Sequence, residues 1–404
     1  MRLRILQEEL NAASAERKPP QIDEPELHST WSGLRVLITN FDLSSRGGTQ
    51  LYVRDLALSL LAQGHQPFVY SPLHGSVAHE LRAATIPVTD NLDTIQKSPD
   101  IIHGNQHVET MTALLYYPRV PAVYFCHSWK NWLEAPPIFP RILRYVAVDD
   151  TCYDRLTVEH GIPEAKARVI LHGVDVERFK ARNGLPASPR RALVFSNYAN
   201  EQTYLKVIRQ ACHRSSIELD VIGEAAGNIC EHPESELGNY DIVFAKARCA
   251  LEALAVGTAV ILCDAGGAGQ MVTMRELDQL RRFNFGIRTL QSPLSVGLIE
   301  REIARYDPQD ALQVSKTIRA TAGHAIAIAR VLELYEEVLA EHRRDGKPDL
   351  EWEGQAAARY LRQLYADFAN HSALTMRWRN RLLKIPVFGY RLASLKQKLN
   401  DRPH

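Results

Sequence analysis

The chain has 404 residues and a net charge of +1, from 48 Lys and Arg against 47 Asp and Glu. That balance argues against a nucleic-acid binder relying on an overall basic field, and the length predicts two domains with appendages. A hydrophobic content of 45% with 24% charged residues is that of a soluble globular protein, and no apolar run approaches the roughly 20 residues a membrane span needs.

Residues 1–33 read as an arm: a short helical pattern, then Pro19, Pro20 and Pro25. Its start, MRLRILQEELNAASAERKPP, has no uninterrupted apolar core, so no secretory signal is expected and the chain is placed on the cytosolic side. The six cysteines, at 126, 152, 212, 230, 249 and 263, form no C-x-x-C pair and are expected to be reduced thiols.

From 34 the pattern alternates strand and helix. LRVLITN (34–40) is a buried strand, RGGTQ a glycine loop, 51–62 an amphipathic helix closed by Gly64, and 66–70 the next strand. Gly47 and Gly48 allow the backbone to approach an anion at a helix N-terminus, though a plain tight turn reads the same way. Further strands are expected at 100–103, 122–126, 145–148 and 168–170, and a helix at 151–160. The polar loops after the first two hold His103, His107, His127, Trp129 and Trp132. Loops that follow strands on one edge of a parallel sheet line a common cleft.

The stretch 181–189 (ARNGLPASP) reads as a linker. A second series follows, with strands at 192–196, 218–222, 242–244 and 259–263 and helices at 202–213, 274–283, 293–306, 308–321 and 324–342. Its centre is DIVFAKARCALEALAVGTAVILCDAGGAGQMV (241–272): strand, basic loop, helix, strand, Gly-Gly loop. Lys246, Arg248 and the N–H groups around Gly266 and Gly267 suit a diphosphate, and the Glu252 carboxylate suits sugar hydroxyls. The expected fold class is α/β, with two Rossmann-like domains (34–180 and 181–342) facing a cleft, then a helical extension at 343–404. That extension ends in a basic amphipathic segment, with Arg377, Arg379, Arg381, Lys384, Arg391, Lys396 and Lys398 among apolar residues. It suits either an anionic membrane surface or packing against protein.

RGGTQLYVRDLALSLLAQGH, PDIIHGNQH, FCHSW, VILHGVDVERF and LEALAVGTAVILCDAGGAGQMV occur in this order. Together they resemble the GT-B glycosyltransferases, most of all the family 4 retaining enzymes, over residues 34–342. The resemblance implies acceptor binding by the first domain and nucleotide-sugar binding by the second. It implies no metal and no cofactor beyond the nucleotide-sugar co-substrate. It assigns Glu252 to the nucleotide ribose and His127 to the donor sugar. His103, His107 and Trp129 are acceptor-side candidates. Three departures stand out. Phe244 occupies the place of the family's first glutamate. Asn197 is nearest the place of its phosphate-binding arginine. Gln270 stands where a glutamate often follows the Gly-Gly. Lys246 and Arg248 are therefore expected to replace the missing cations, so the catalytic candidates are His127, Lys246 and Arg248. The expected function is sugar transfer to a glycan or lipid-linked acceptor in surface polysaccharide, lipopolysaccharide or glycolipid assembly. The alternatives are an inverting enzyme, a GT-B epimerase, or a degenerate scaffold or subunit.

Overall fold

The computed structural model describes residues 33–346 and 349–383. The arm expected before residue 33 and the tail from 384 lie outside them. The described residues fall into two compact units, 33–136 with 141–346, and 137–140 with 349–383.

The larger unit holds two lobes. The first is a seven-stranded sheet in the order β5-β3-β1-β6-β7-β8-β9, parallel throughout. Its strands are β1 (Arg35–Thr39), β3 (Gln66–Tyr70), β5 (Val88–Thr89), β6 (Ile101–Gly104), β7 (Ala122–Cys126), β8 (Ile142–Ala147) and β9 (Ala167–Val169). A two-residue pair, β2 (Asp42–Leu43) and β4 (Leu73–His74), lies outside the sheet. Val36, Leu37 and Ile38 are fully buried, as is every residue of β7. Runs apolar on both faces suit strands covered by helices on both sides. Helix α1 (Gly48–Ala62) buries Val53, Leu56, Ala57 and Leu60, a stripe at helical spacing. Helix α2 is Ser76–Ala83 and α3 is His107–Tyr116. The stretch expected as one helix at 151–160 is a short helix α4 (Asp150–Asp154) continued by a π-turn, Arg155–Glu159.

The second lobe is a five-stranded sheet in the order β11-β10-β12-β13-β14. Its strands are β10 (Arg191–Phe195), β11 (Glu218–Ile222), β12 (Ile242–Ala245), β13 (Ala259–Asp264) and β14 (Gly267–Met271). All pairs are parallel except β13 with β14. Its helices are α5 (Leu205–Arg214), α6 (Pro233–Glu236), α7 (Ala247–Val256), α8 (Leu277–Arg282), α9 (Val296–Ile303) and α10 (Pro308–Thr321). The expected Gly-Gly loop is corrected here: Gly267 opens strand β14. A Cβ there would lie 2.8 Å from the Ser292 carbonyl oxygen, and φ is +146°. A strand of Gly, Ala, Gln and Met carries no β-branched signal, which is why it reads as loop.

Helix α11 (His324–Asp345) was expected as the last helix of the second domain. Its buried face, Ile328, Val331, Leu332, Tyr335 and Val338, instead shares one core cluster with β1, β7 and α1 of the first lobe. The chain thus crosses back. Gly173, a few residues after β9, makes that crossing possible, because a Cβ there would lie 2.7 Å from the His324 Cα. Val174 N donates to Ala322 O (2.9 Å) and His324 N donates to Val174 O (2.8 Å), pinning this segment to the start of the helix. In the smaller unit α12 runs from Leu350 to Leu383. Among the described residues no helix is long and apolar enough to cross a membrane.

Leu332→Ala tests the placement of α11. Removal of a side chain from a shared core is expected to cost about 2–5 kcal/mol of unfolding free energy by denaturant titration. A surface helix would lose under about 0.5 kcal/mol.

Candidate functional site in the interlobe cleft

In open α/β sheets ligands bind where the strand order reverses, beyond the carboxyl ends of the strands. The first sheet reverses between β1 and β6, the second between β10 and β12. The first switch point is followed by the loop to α1 and by Asn105-Gln106, the second by the loop from Ser196 and by Lys246. Gly47 is the N-cap of α1 and Gly48 its first residue, so the glycine pair does sit at a helix N-terminus. Lys246 is the N-cap of α7. The N–H groups of Arg248 and Cys249 open the helix with no preceding turn to accept them, so positive potential gathers there.

Neither expected cation is unpartnered. Lys246 forms an ion pair with Asp264, and its amine also lies 5.8 Å from the centre of the Tyr198 ring. Arg248 donates through Nε to Glu252 Oε1 (2.8 Å) and through an Nη to Asp55 Oδ2 (2.7 Å). Asp55 belongs to α1, so this bridge joins the lobes; Arg54 also donates to Asp55, at 2.6 Å. Burial works against charge on Arg248, but the Asp55 and Glu252 carboxylates outweigh it and its pKa rises. Burial would raise Asp55, yet Arg248 and Arg54 hold it below the ordinary carboxylate range. Burial dominates at Glu252, which stays above that range despite Arg248. The first residue of α7, Ala247, has φ +50°, a left-handed conformation that costs a residue with a Cβ about 1–2 kcal/mol.

A second cluster lies on the first-lobe side. His127 has both ring nitrogens bonded, Nε2 to Asn105 Oδ1 (2.8 Å) and Nδ1 to His172 Nε2 (3.2 Å). Its backbone N–H donates to the buried Glu134 at 2.5 Å. Burial pushes the His127 pKa down to about 3 and lifts Glu134 to about 7. Burial likewise holds His103 and His172 well below the usual histidine value; at His172 the neighbouring His127, Arg248 and Arg281 add to it. Tyr52 packs its ring 4.5 Å from that of His127 and 5.5 Å from that of His172.

Further ties cross between the lobes. Arg282 pairs with Asp150 (2.6 Å), Arg288 with Asp154, and Arg281 donates to the His172 carbonyl. Tyr52, Asp55, His172, Gly173, Arg248 and His324 line a cavity of about 30 Å³ between the lobes, with Phe125 and Ile328 also on its wall. That is room for water, not for a sugar.

The acceptor-side candidates divide. His103 is fully buried between Tyr335 Oη (2.6 Å) and Tyr52 Oη (3.3 Å), so it is a core residue and not an acceptor contact. His107 is buried at the start of α3 with its ring centre 5.1 Å from that of Trp132. Trp129 is exposed, with the Lys130 amine 5.5 Å from its ring centre. Asn197 is exposed and accepts from Glu224 N at 3.4 Å, closing the loops after β10 and β11 against each other. Gly266 is exposed in the turn between β13 and β14. Asp55, Asn105, Tyr52 and His172 enter the site without having been singled out. Each lies in a quoted motif, Tyr52 and Asp55 in RGGTQLYVRDLALSLLAQGH, Asn105 in PDIIHGNQH and His172 in VILHGVDVERF.

Residues 46–178 match the model of the family described as Glycosyltransferase Family 4. Among solved structures the chain is similar to a glycosyltransferase from Rickettsia africae, with TM-score 0.59 and 15% identity over 76% of this chain and 99% of that one. It is also similar to Anabaena HepE in complex with UDP and glucose, with TM-score 0.56 and 15% identity over 75% and 99% of the two chains. Among curated proteins none matches. The architecture is the GT-B fold, and the first lobe is similar to the family 4 glycosyltransferases. The family match stops at residue 178, before the second lobe, where every departure noted above lies.

Two outcomes follow. His127 is neutral in the folded chain down to about pH 3, whereas in the unfolded chain it gains a proton near pH 6.5. Its contribution is therefore complete above about pH 6.5 and declines as the pH falls. The stability gap between native protein and His127→Gln is expected to narrow by about 2 kcal/mol from pH 7 to pH 5, read from urea midpoints; a constant gap would place the imidazole in solvent. Ala247→Gly is expected to raise the unfolding free energy by about 0.5–1 kcal/mol by the same measurement, relief of left-handed strain exceeding the added chain entropy.

Proposed function

We propose that this protein moves a sugar from a nucleotide-diphosphate sugar to a glycan or lipid-linked acceptor, with retention of anomeric configuration, in surface polysaccharide or glycolipid assembly. The observation that carries the reading is the start of α7 at a sheet switch point, with Lys246, Arg248 and Glu252 together on its first turns. In such a transfer the anomeric C–O bond breaks and negative charge gathers on the departing diphosphate. Preorganised N–H groups and cations facing that charge stabilise the transition state. Lys246, Arg248 and the first-turn amides of α7 meet the diphosphate, and the N-terminus of α1 at Gly47 and Gly48 faces it from the first lobe. Arg248 occupies Glu252 Oε1, which leaves Oε2 for the nucleotide ribose. The diphosphate competes with Asp55 for Arg248 and with Asp264 for Lys246. UDP is the first nucleotide to test, because the Anabaena protein is held with UDP.

The basic segment at 373–404 is read as a dock on an anionic lipid surface, at about 1 kcal/mol per cation near it, which suits a lipid-linked acceptor. Deletion of 373–404 is expected to lower the liposome-bound fraction. The second reading, a scaffold without transfer, is favoured by one observation: both cations are already neutralised by carboxylates.

The deciding experiment is turnover on a panel of UDP- and GDP-sugars, with product configuration read by NMR; no turnover or hydrolysis of any would favour the scaffold. In parallel, Lys246→Met is expected to raise the UDP Kd at least about tenfold, on the worth of a charge-assisted contact. Asp55→Asn is expected to lower it severalfold by releasing Arg248. Unchanged Kd in both variants would remove these cations from the site.

A further inference from the structure

Helix α12 changes character at Tyr360. Before it the helix is packed: Glu353 and Ala356 are buried, Ala357 and Tyr360 half-buried. From Leu361 to Ala369 only Leu364 keeps partial cover. Leu361 is 56% exposed, Tyr365 73% and Phe368 66%. With Leu364 they stand at i, i+3, i+4 and i+7, one face of a helix. Apolar residues at that spacing normally face a core, and a contiguous exposed patch of them marks an interaction site.

Charge along α12 is uneven. From 350 to 369, Glu351, Glu353 and Asp367 outnumber Arg359 and Arg362. From 370 to 383, Arg377, Arg379 and Arg381 stand with no acidic residue among them. The helix thus has an acidic start and a basic end, and the apolar stripe lies at the middle of its 34 residues.

We propose that α12 joins two copies of this chain, paired antiparallel about a two-fold axis between Leu364 and Tyr365. A two-fold contact presents the same patch from both sides, so the patch must complement itself. This stripe does: the axis sets Leu364 of one copy against Tyr365 of the other, and Leu361 against Phe368. It also brings the acidic start, at Leu350 and Glu351, level with Arg379 of the other copy. Opposite charges then meet at both ends, whereas a parallel pair would set like charges together. The proposal is independent of the nucleotide-sugar reading.

Two other covers fit the stripe less well. An anionic lipid surface attracts cations, but up to residue 369 carboxylates outnumber cations around the stripe. The chain's own tail is too short. With a turn over Pro386–Gly389, a helix returning along α12 would bring Leu399, its last leucine, to about five residues short of Phe368.

The test is the mass of the full chain by sedimentation equilibrium at micromolar concentration without detergent. The expected mass is twice the 45.6 kDa of one chain. Tyr365→Glu and Phe368→Glu change exposed positions and are expected to keep the native circular dichroism. Each is expected to weaken association at least about tenfold, since the two-fold repeats every lost contact. A dimer that persists in the double variant is held by another face and overturns the inference. A native chain that stays monomeric also overturns it, and loss of liposome binding in the double variant would then give the stripe to lipid. Removal of 384–404 is expected to leave the dimer intact; a chain that dimerises only after this removal makes the tail the native cover and overturns the inference. Register is read by oxidative cross-linking, with the unsubstituted chain as background. Leu350→Cys mixed with Arg379→Cys is expected to give a disulfide-linked dimer and Leu350→Cys alone none. The reverse result makes the pair parallel and overturns the antiparallel arrangement.

Discussion

The structure turns on the guanidinium of Arg248, shared between a carboxylate on its own helix and one on the opposite lobe. Ionised groups withdrawn from water need partners, and leaving one unmatched costs several kcal/mol. Asp55, Arg248 and Glu252 meet that requirement jointly, with Arg54 reinforcing Asp55. A charge pair across the cleft therefore holds the lobes in register when no anion is bound, and an arriving anion must displace a carboxylate. Lys246 with Asp264 repeats the arrangement within the second lobe. The cations of the proposed binding pole are thus each paired with protein carboxylates.

The opposite wall of the cleft is governed by desolvation. Burial holds His103, His127 and His172 below the usual histidine value, so they are neutral at pH 7 and each has one ring donor and one ring acceptor. The two walls meet at His172, whose ring meets that of His127 and whose carbonyl accepts from Arg281 of the second lobe. The lobes are joined through side chains that also line the cavity between them.

Much of the architecture was legible because buried parallel strands are short apolar runs. Residues 122–126 and 218–222 have the expected bounds, and 308–321 is the expected helix. Strand β14 was not legible, since a glycine-rich edge strand has neither alternation nor β-branched residues. The start of α3 at His107 was hidden by the polar loop before it, and the return of α11 to the first lobe follows from tertiary packing that periodicity does not encode. At the site, residue types at one helix start were readable: Lys246, Arg248 and Glu252 do lie together. Their partners were not. Asp55 is 193 residues from Arg248 and looks like any charged position on an amphipathic helix. For the same reason His103 read as a loop histidine, although Tyr335, 232 residues away, holds it in the core.

The account is tested most directly by the structure of the full chain with UDP bound. It predicts the diphosphate at the first turn of α7, with Arg248 turned from Asp55 towards a phosphate oxygen. A diphosphate bound elsewhere, with the Asp55–Arg248–Glu252 bridge unchanged, would contradict it.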